Sequence, residues 1–221
     1  MRLSRAMHRV LIATVVLIVG GAVLYRFGRP LWHPLLASLT GEASEGSRLA
    51  DIIRRKPYLR EVPQGPLTLI AYKAEKQLEV RCGTKPWRTI PILAASGHAG
   101  PKLQAGDNQV PEGLYTINAV NPNSSYYLSL RVSYPNAQDL ARAQAHGVSD
   151  PGGDIYIHGH AASIGCLAMG DDAIEDLFWL VVTRGPADCT VIIAPGRERS
   201  QFAAADQHAL HDQIYSAIDH R

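Results

Sequence analysis

Sixteen consecutive uncharged residues between Arg9 and Arg26, VLIATVVLIVGGAVLY, divide this chain before any globular fold is considered. As a helix rising 1.5 Å per residue the run spans ~24 Å, a little short of a ~30 Å hydrocarbon core. Ala6, Met7, Phe27 and the snorkelling stems of the flanking arginines make up the difference. The first 29 residues hold five arginines (Arg2, Arg5, Arg9, Arg26, Arg29) and no acid, so the formal charge of +2 leaves −3 on the remainder. This pattern suits a signal anchor with residues 1–9 in the cytoplasm and 10–26 crossing the inner membrane in a single pass. A cleaved signal peptide remains the alternative, with secretion of the rest, and a buried core helix is a third reading. Val23, Leu24, Tyr25, Arg26 and Phe27 offer no good small-x-small cleavage site. Export to the periplasm follows from either of the first two.

Residues 27–65 read as a periplasmic spacer, punctuated by Arg29-Pro30, Thr40-Gly41, Gly46-Ser47, Lys56-Pro57 and Pro63-Gln64-Gly65-Pro66. Within it Ser47 is placed to cap a short amphipathic helix through Leu49, Ile52 and Ile53. The expectation is a stalk without specificity.

The chain's 221 residues fit one substantial domain with appendages, and 46% apolar content excludes a wholly disordered chain. Near-neutral charge gives no broad electrostatic basis for binding nucleic acid. Three scattered cysteines make neither a disulfide scaffold nor a four-cysteine zinc site. From Leu67 the texture is of short strands and turns. LTLIAYKAEKQLEVRC predicts two strands about a turn at Ala74-Glu75-Lys76, and TIPILAAS a further strand. More strands follow at Leu114–Val120, in SSYYLSLRVSYPN up to Pro135-Asn136, at Asp154–His158 and at Cys189–Ala194. Two helices are expected. One starts near Asp172 with a D-x-x-E capping pattern to Glu175 and ends at Arg184-Gly185-Pro186; the other runs from about Ser200 to Ile218. Together these argue a mainly β sandwich or barrel, with the domain at 66–196 and the C-terminal helix in 197–221.

The segment GDIYIHGHAASIGCLAMGDD, residues 153–172, carries the chemistry. Strand alternation puts Ile155 and Ile157 on one face, Tyr156 and His158 on the other. Gly159 then lets the chain turn, and Cys166 follows Gly165 shortly before a helix start. A cysteine at a helix N-terminus has a lowered pKa, and a nearby imidazole both stabilises the thiolate and returns a proton to a leaving amine. The amides of Gly165 and Cys166 are candidate oxyanion donors. Alternatively Cys166 is a buried small hydrophobe, or His158, His160 and Cys166 hold a metal, though no fourth ligand stands nearby. Cys82 and Cys189, near strand ends in an oxidising compartment, are two buried thiols or a disulfide.

His158-Gly159, a short interval and Ser163-Ile164-Gly165-Cys166 resemble the catalytic motif of the L,D-transpeptidases, the YkuD-type domain. Gly106-Asp107-Asn108-Gln109-Val110-Pro111-Glu112-Gly113 resembles that family's GD-x-x-TPEG loop, and Tyr134-Pro135-Asn136 with Asp139 its YPN-x-x-D segment. The likeness covers about residues 66–195 and is greatest to the murein L,D-transpeptidase-like branch with a short His-to-Cys spacing. The resemblance implies an L,D-transpeptidase-like β-sandwich and a cysteine acyltransferase attacking the L–D amide of peptidoglycan stem peptides through a thioester. It implies no metal and no cofactor. Hydrolysis of the same bond type, by a carboxypeptidase or an amidase that releases a linked protein, is the alternative; a non-catalytic wall-binding module is another. Carried over by position, Cys166 is the nucleophile, His158 the base and acid, Ser163 a loop-lining residue and Gly165 the shaper of the oxyanion site. Ile164, Ala168, Met169 and Val110 depart from the family pattern, which bears on acceptor choice. Tyr156 and His160 are substrate-lining candidates beside Gly159, with a packing tyrosine and a solvated histidine as the plain alternatives. Glu112 reads as a structural loop acid rather than a catalytic one, and Tyr134 and Asn136 as turn builders.

Overall fold

A computed structural model describes residues 43–98, 100–202 and 207–221. The proposed membrane segment at 10–26 and the first part of the spacer lie outside the described residues. Eight strands form the domain: β1 (Leu67–Tyr72), β2 (Gln77–Cys82), β3 (Lys85–Pro91), β4 (Gly113–Ser124), β5 (Tyr127–Val132), β6 (Tyr156–His158), β7 (Leu167–Ala168) and β8 (Thr190–Ala194). Among the described residues four α-helices accompany them: α1 (Glu45–Arg55), α2 (Ala137–Ala145), α3 (Asp171–Arg184) and α4 (His208–Asp219).

The strands make one hydrogen-bonded sheet in the order β3-β2-β1-β8-β4-β5-β6-β7, a single curled sheet where a sandwich or barrel was expected. The physical reason is β4. Its first residues, Gly113–Thr116, pair with β8, whereas Ile117–Ser124 pair with β5, and register shifts after Ile117 and Asn121 interrupt the ladder. Such bulges bend a strand and sharpen its twist. The sheet therefore curls until its two edges meet: Leu93 donates to the Ala168 carbonyl at 2.8 Å, and Ala168 donates to that of Ala94 at 2.9 Å. LTLIAY is buried throughout because β1 lies inside the sheet, paired in parallel with β8, with both faces covered. Leu69 and Val191 face the main core with Leu177 and Phe178 of α3; Ile70, Tyr72 and Ile192 face Leu210 and Ile214 of α4.

Residues 45–61 are not a spacer. Ile52 and Leu59 are buried in the main core, and Ser44, rather than Ser47, caps α1 by accepting from the Ser47 amide at 3.1 Å. The end of α1 makes a buried ionic cluster with α3. Arg55 grips Glu175 with two hydrogen bonds of 2.9 and 2.8 Å, and Lys56 Nζ lies 2.8 Å from Asp176 Oδ1 and 2.7 Å from Asp172 Oδ1. These pairs also explain why the D-x-x-E cap does not form. Gly170 is the N-cap with no side-chain hydrogen bond, and both acids of the pattern are committed to α1. The C-terminal helix is shorter than expected, a 3₁₀ turn at Arg199–Phe202 preceding α4. Helix α2 was not anticipated: Asn136 and Asp139 form a reciprocal capping box rather than a simple turn. All three cysteines are free. Leu67 of β1 pairs with Cys82, and Cys189 lies across β1 on its other side, so two strand spacings of about 4.8 Å separate thiols that a disulfide requires within about 7 Å between Cα atoms.

Burial opposes the charge of Glu175, but hydrogen bonds from Arg55 and Tyr127 outweigh it and hold its pKa below the ordinary carboxylate value; Lys56 does the same for Asp172. Depressed carboxyl pKa values stabilise the fold fully above the unfolded value of about 4 and lose that contribution as pH falls through the folded value. The urea midpoint should therefore fall on acidification below about pH 5. Asp176→Ala, which leaves the buried Lys56 without its nearest deep partner, should cost about 3 kcal/mol at neutral pH, read from urea unfolding at constant slope.

Candidate active site

Strand β6 is only three residues long, but both its edges are held. Ser129 of β5 pairs with His158, and Ile157 pairs in parallel with Leu167 of β7. The alternation anticipated from sequence is present: Ile155 and Ile157 enter the core, while Tyr156 and His158 line a cleft of about 380 Å³. Cys166, the residue just before β7, lines the same cleft with Ser163 and Ile164. The parallel register sets Cys166 beside Tyr156, whose amide donates to Sγ at 3.4 Å. His158 is then two residues further along β6 from that point, about 7 Å in the strand direction.

His158 is buried, and its Nδ1 lies 2.6 Å from the Gly159 carbonyl. A carbonyl accepts only, so Nδ1 carries the hydrogen and Nε2 is the basic nitrogen. Burial lowers the imidazole pKa; the Gly159 carbonyl opposes this, and His160 adds to the lowering. Burial raises the Cys166 thiol despite the Tyr156 amide, and Sγ donates to the Asp154 carbonyl at 3.6 Å. The resting pair is therefore a neutral thiol and a neutral imidazole. This corrects the expectation of a helix-lowered thiol: β7, Met169 and Gly170 intervene before α3, so Cys166 stands in the loop before β7, away from the helix end.

The expected oxyanion donors are also occupied. Gly165 donates to Ser96 Oγ at 2.6 Å, and Cys166 donates to Ser163 Oγ at 3.0 Å. Gly165 adopts φ +87°, a conformation that favours glycine. Ser96 escaped the sequence reading because TIPILAAS was taken as strand to its end; the curl of the sheet brings Ser96 across to the Cys166 loop. Gly159 and His160 do not line the cleft. His160 is held by Asp171, its Nδ1 at 3.0 Å and its amide at 2.7 Å from Oδ1. Glu112 stands apart from the cleft as a fully buried loop acid, accepting from Lys73 at 3.0 Å and the Gly100 amide at 2.8 Å. Tyr134 donates to the Pro151 carbonyl at 2.9 Å. Tyr126, which no sequence pattern singled out, lies against His158 with ring centroids 4.6 Å apart.

A family model for the L,D-transpeptidase catalytic domain matches residues 66–193, more than half of the chain. The chain belongs to this family. YafK of Escherichia coli (strain K12), named for the L,D-transpeptidases, is 32% identical over 151 residues, covering 66% of this chain and 57% of YafK; the O157:H7 protein gives the same figures. The match thus spans a little over half the length of these relatives. Among solved structures, the helical cell shape determining protein Pgp2 of Campylobacter jejuni aligns at 21% identity and TM-score 0.48, over 80% of this chain and 62% of that one. L,D-transpeptidase 1 of Mycobacterium tuberculosis aligns at 17% identity and TM-score 0.35, over 58% and 61%. Within this family site, the neutral resting pair has a chemical signature. Alkylation of Cys166 by iodoacetamide, followed by peptide mass, should quicken up to and beyond about pH 9, with no plateau near neutrality. A plateau near neutrality would mean a preformed thiolate–imidazolium pair.

Proposed function

We propose that this chain is an L,D-transpeptidase that exchanges amide bonds in peptidoglycan stem peptides through a Cys166 thioester. The reading is carried by one observation, a thiol just before β7 and an imidazole on β6 lining a single cleft, the imidazole tautomer held by the Gly159 carbonyl. In the proposed reaction the thiol passes its proton to His158 Nε2 as Sγ attacks the carbonyl of an L-centre that precedes a D-residue. The C–N bond breaks, His158 gives the proton to the departing amine, and the acyl group remains as a thioester. An acceptor amine then attacks the thioester and gives its proton to His158, and the thiol is restored with that proton.

Water in place of the amine would make the same site a hydrolase. Purified full-length protein incubated with a stem tetrapeptide, with and without an amine acceptor, separates these by product mass. Cross-linked or amine-exchanged product is expected, whereas a shortened peptide alone would establish the hydrolase. Cys166→Ala should abolish turnover, and His158→Ala should reduce it by about 10²–10⁴-fold. Turnover that survives Cys166→Ala would overturn the cysteine mechanism, and binding without turnover would leave a wall-binding module.

We also assign the domain to the periplasm, tethered to the inner membrane by residues 10–26, because that uncharged run is bracketed by arginines. Alkaline extraction should leave the full chain in the membrane fraction, and protease added to spheroplasts should digest the domain. Release by alkali would point to a cleaved leader.

A further inference from the structure

We propose that Tyr126 is a positioning residue for His158: the tip of the β4–β5 hairpin, latched from behind by α1, holds the phenol ring against the imidazole and fixes the direction of its basic nitrogen. The proposal rests on the Cys166–His158 reading above and adds residues outside the motifs that identify the site.

Tyr126 is 48% exposed at a hairpin tip, yet its ring meets a histidine that is only 3% exposed, tilted by 46°. One hydrogen bond, from Nδ1 to the Gly159 carbonyl, leaves the imidazole able to rock about that contact; a ring on its face removes this freedom. The backbone of the site is shaped for the hairpin's approach. A β-carbon on Gly159 would fall 2.6 Å from the Tyr126 carbonyl oxygen and 3.1 Å from Tyr127 Cβ, so only glycine allows the hairpin so near His158.

The tip is held by its other side. Tyr127 takes φ +73°, a conformation costly for an aromatic residue, and this turns consecutive side chains in different directions. Tyr126 goes to the cleft, and the Tyr127 hydroxyl donates to Glu175 Oε1, the carboxylate that Arg55 of α1 also grips. Arg48 of α1 donates to the Pro122 carbonyl at 3.1 Å, and its guanidinium lies 5.6 Å from the centre of the Tyr127 ring. A continuous set of contacts thus runs from α1 through the hairpin to His158. The other titratable groups about His158 are His160 with its partner Asp171, Tyr156 and Cys166, and none of them replaces the ring.

Two readouts on full-length protein test this. In the Cys166→Ala background, which needs no turnover, the titration of His158 is followed by NMR of labelled histidine. Removing the ring in Tyr126→Ala admits water to the imidazole, so its midpoint should rise toward the ordinary value of about 6.5. Tyr126→Phe should keep the wild-type midpoint, and Arg48→Ala should move it in the same direction as Tyr126→Ala. With Cys166 intact, Tyr126→Ala should lower kcat by roughly tenfold to a hundredfold with little change in KM, and Tyr126→Phe should recover most of the loss. An unmoved midpoint in Tyr126→Ala, a loss confined to KM, or a phenylalanine variant as impaired as alanine would overturn the positioning role. An unmoved midpoint in Arg48→Ala would overturn the latch. Absence of turnover in the wild type, with the expected NMR shifts, would count against the proposed reaction and uphold the positioning.

Discussion

The closure of the sheet on itself, made where Ala168 exchanges hydrogen bonds with residues 93 and 94, is the constraint on which the cleft depends. Without it, β7 would be a two-residue edge strand with one partner, too short to hold a reactive side chain steady. With it, β7 is held by β6 on one side and by the chain leaving β3 on the other. The same closure delivers Ser96 to the Gly165 amide. The loop around Asn108 follows, because Ser96 Oγ donates to the Asn108 carbonyl at 2.6 Å. A sheet edge far away in sequence thus becomes the supporting wall of the Cys166 loop.

A second dependency runs from α1. The charges of Arg55, Lys56, Glu175 and Asp176 largely compensate one another: removing one of the buried carboxylates leaves the cations with fewer partners, where desolvation is no longer fully repaid. The cluster joins α1 to α3, and Glu175 extends it to Tyr127 and the β4–β5 hairpin. Helix α1 is therefore part of the scaffold behind the site. Its role is mechanical as well as thermodynamic, since the hairpin it holds forms one wall of the cleft.

Much of this was legible in the sequence, for identifiable reasons. Strands with dense β-branched and apolar residues, such as Leu67–Tyr72 and Thr190–Ala194, are visible because local pattern and burial agree. His158, Cys166 and Ser163 were legible because their spacing is local, and strand β6 presents alternate residues to one side. The failures are non-local. The α1 segment, mean-polar and followed by proline, reads as a stalk until its few apolar residues meet the core and its charges meet α3. Helix α2, AQDLARAQA, lacks an apolar stripe, and Leu140 on it is exposed, so its only clear signal was the Asn136–Asp139 box. Tyr126 and Ser96 belong to the site through strand pairing between segments distant in sequence, which no spacing within one segment reveals.

The resting site is poised against premature reaction. Burial, with the charge of Asp154 adding to it, outweighs the Tyr156 amide and the more distant Lys102, which is the reason the thiol keeps its proton. The Gly165 and Cys166 amides, which in the proposed reaction would meet a developing oxyanion, are bound to serine hydroxyls, and a hydroxyl is a weaker acceptor than a full negative charge. An arriving carbonyl that gains charge can therefore take those donors from Ser96 and Ser163, while the same carbonyl uncharged gains little by the exchange. This favours the charged state over the ground state, the condition for lowering a barrier rather than merely binding substrate. In this arrangement the Ser96 and Ser163 hydroxyls keep the two amides aligned.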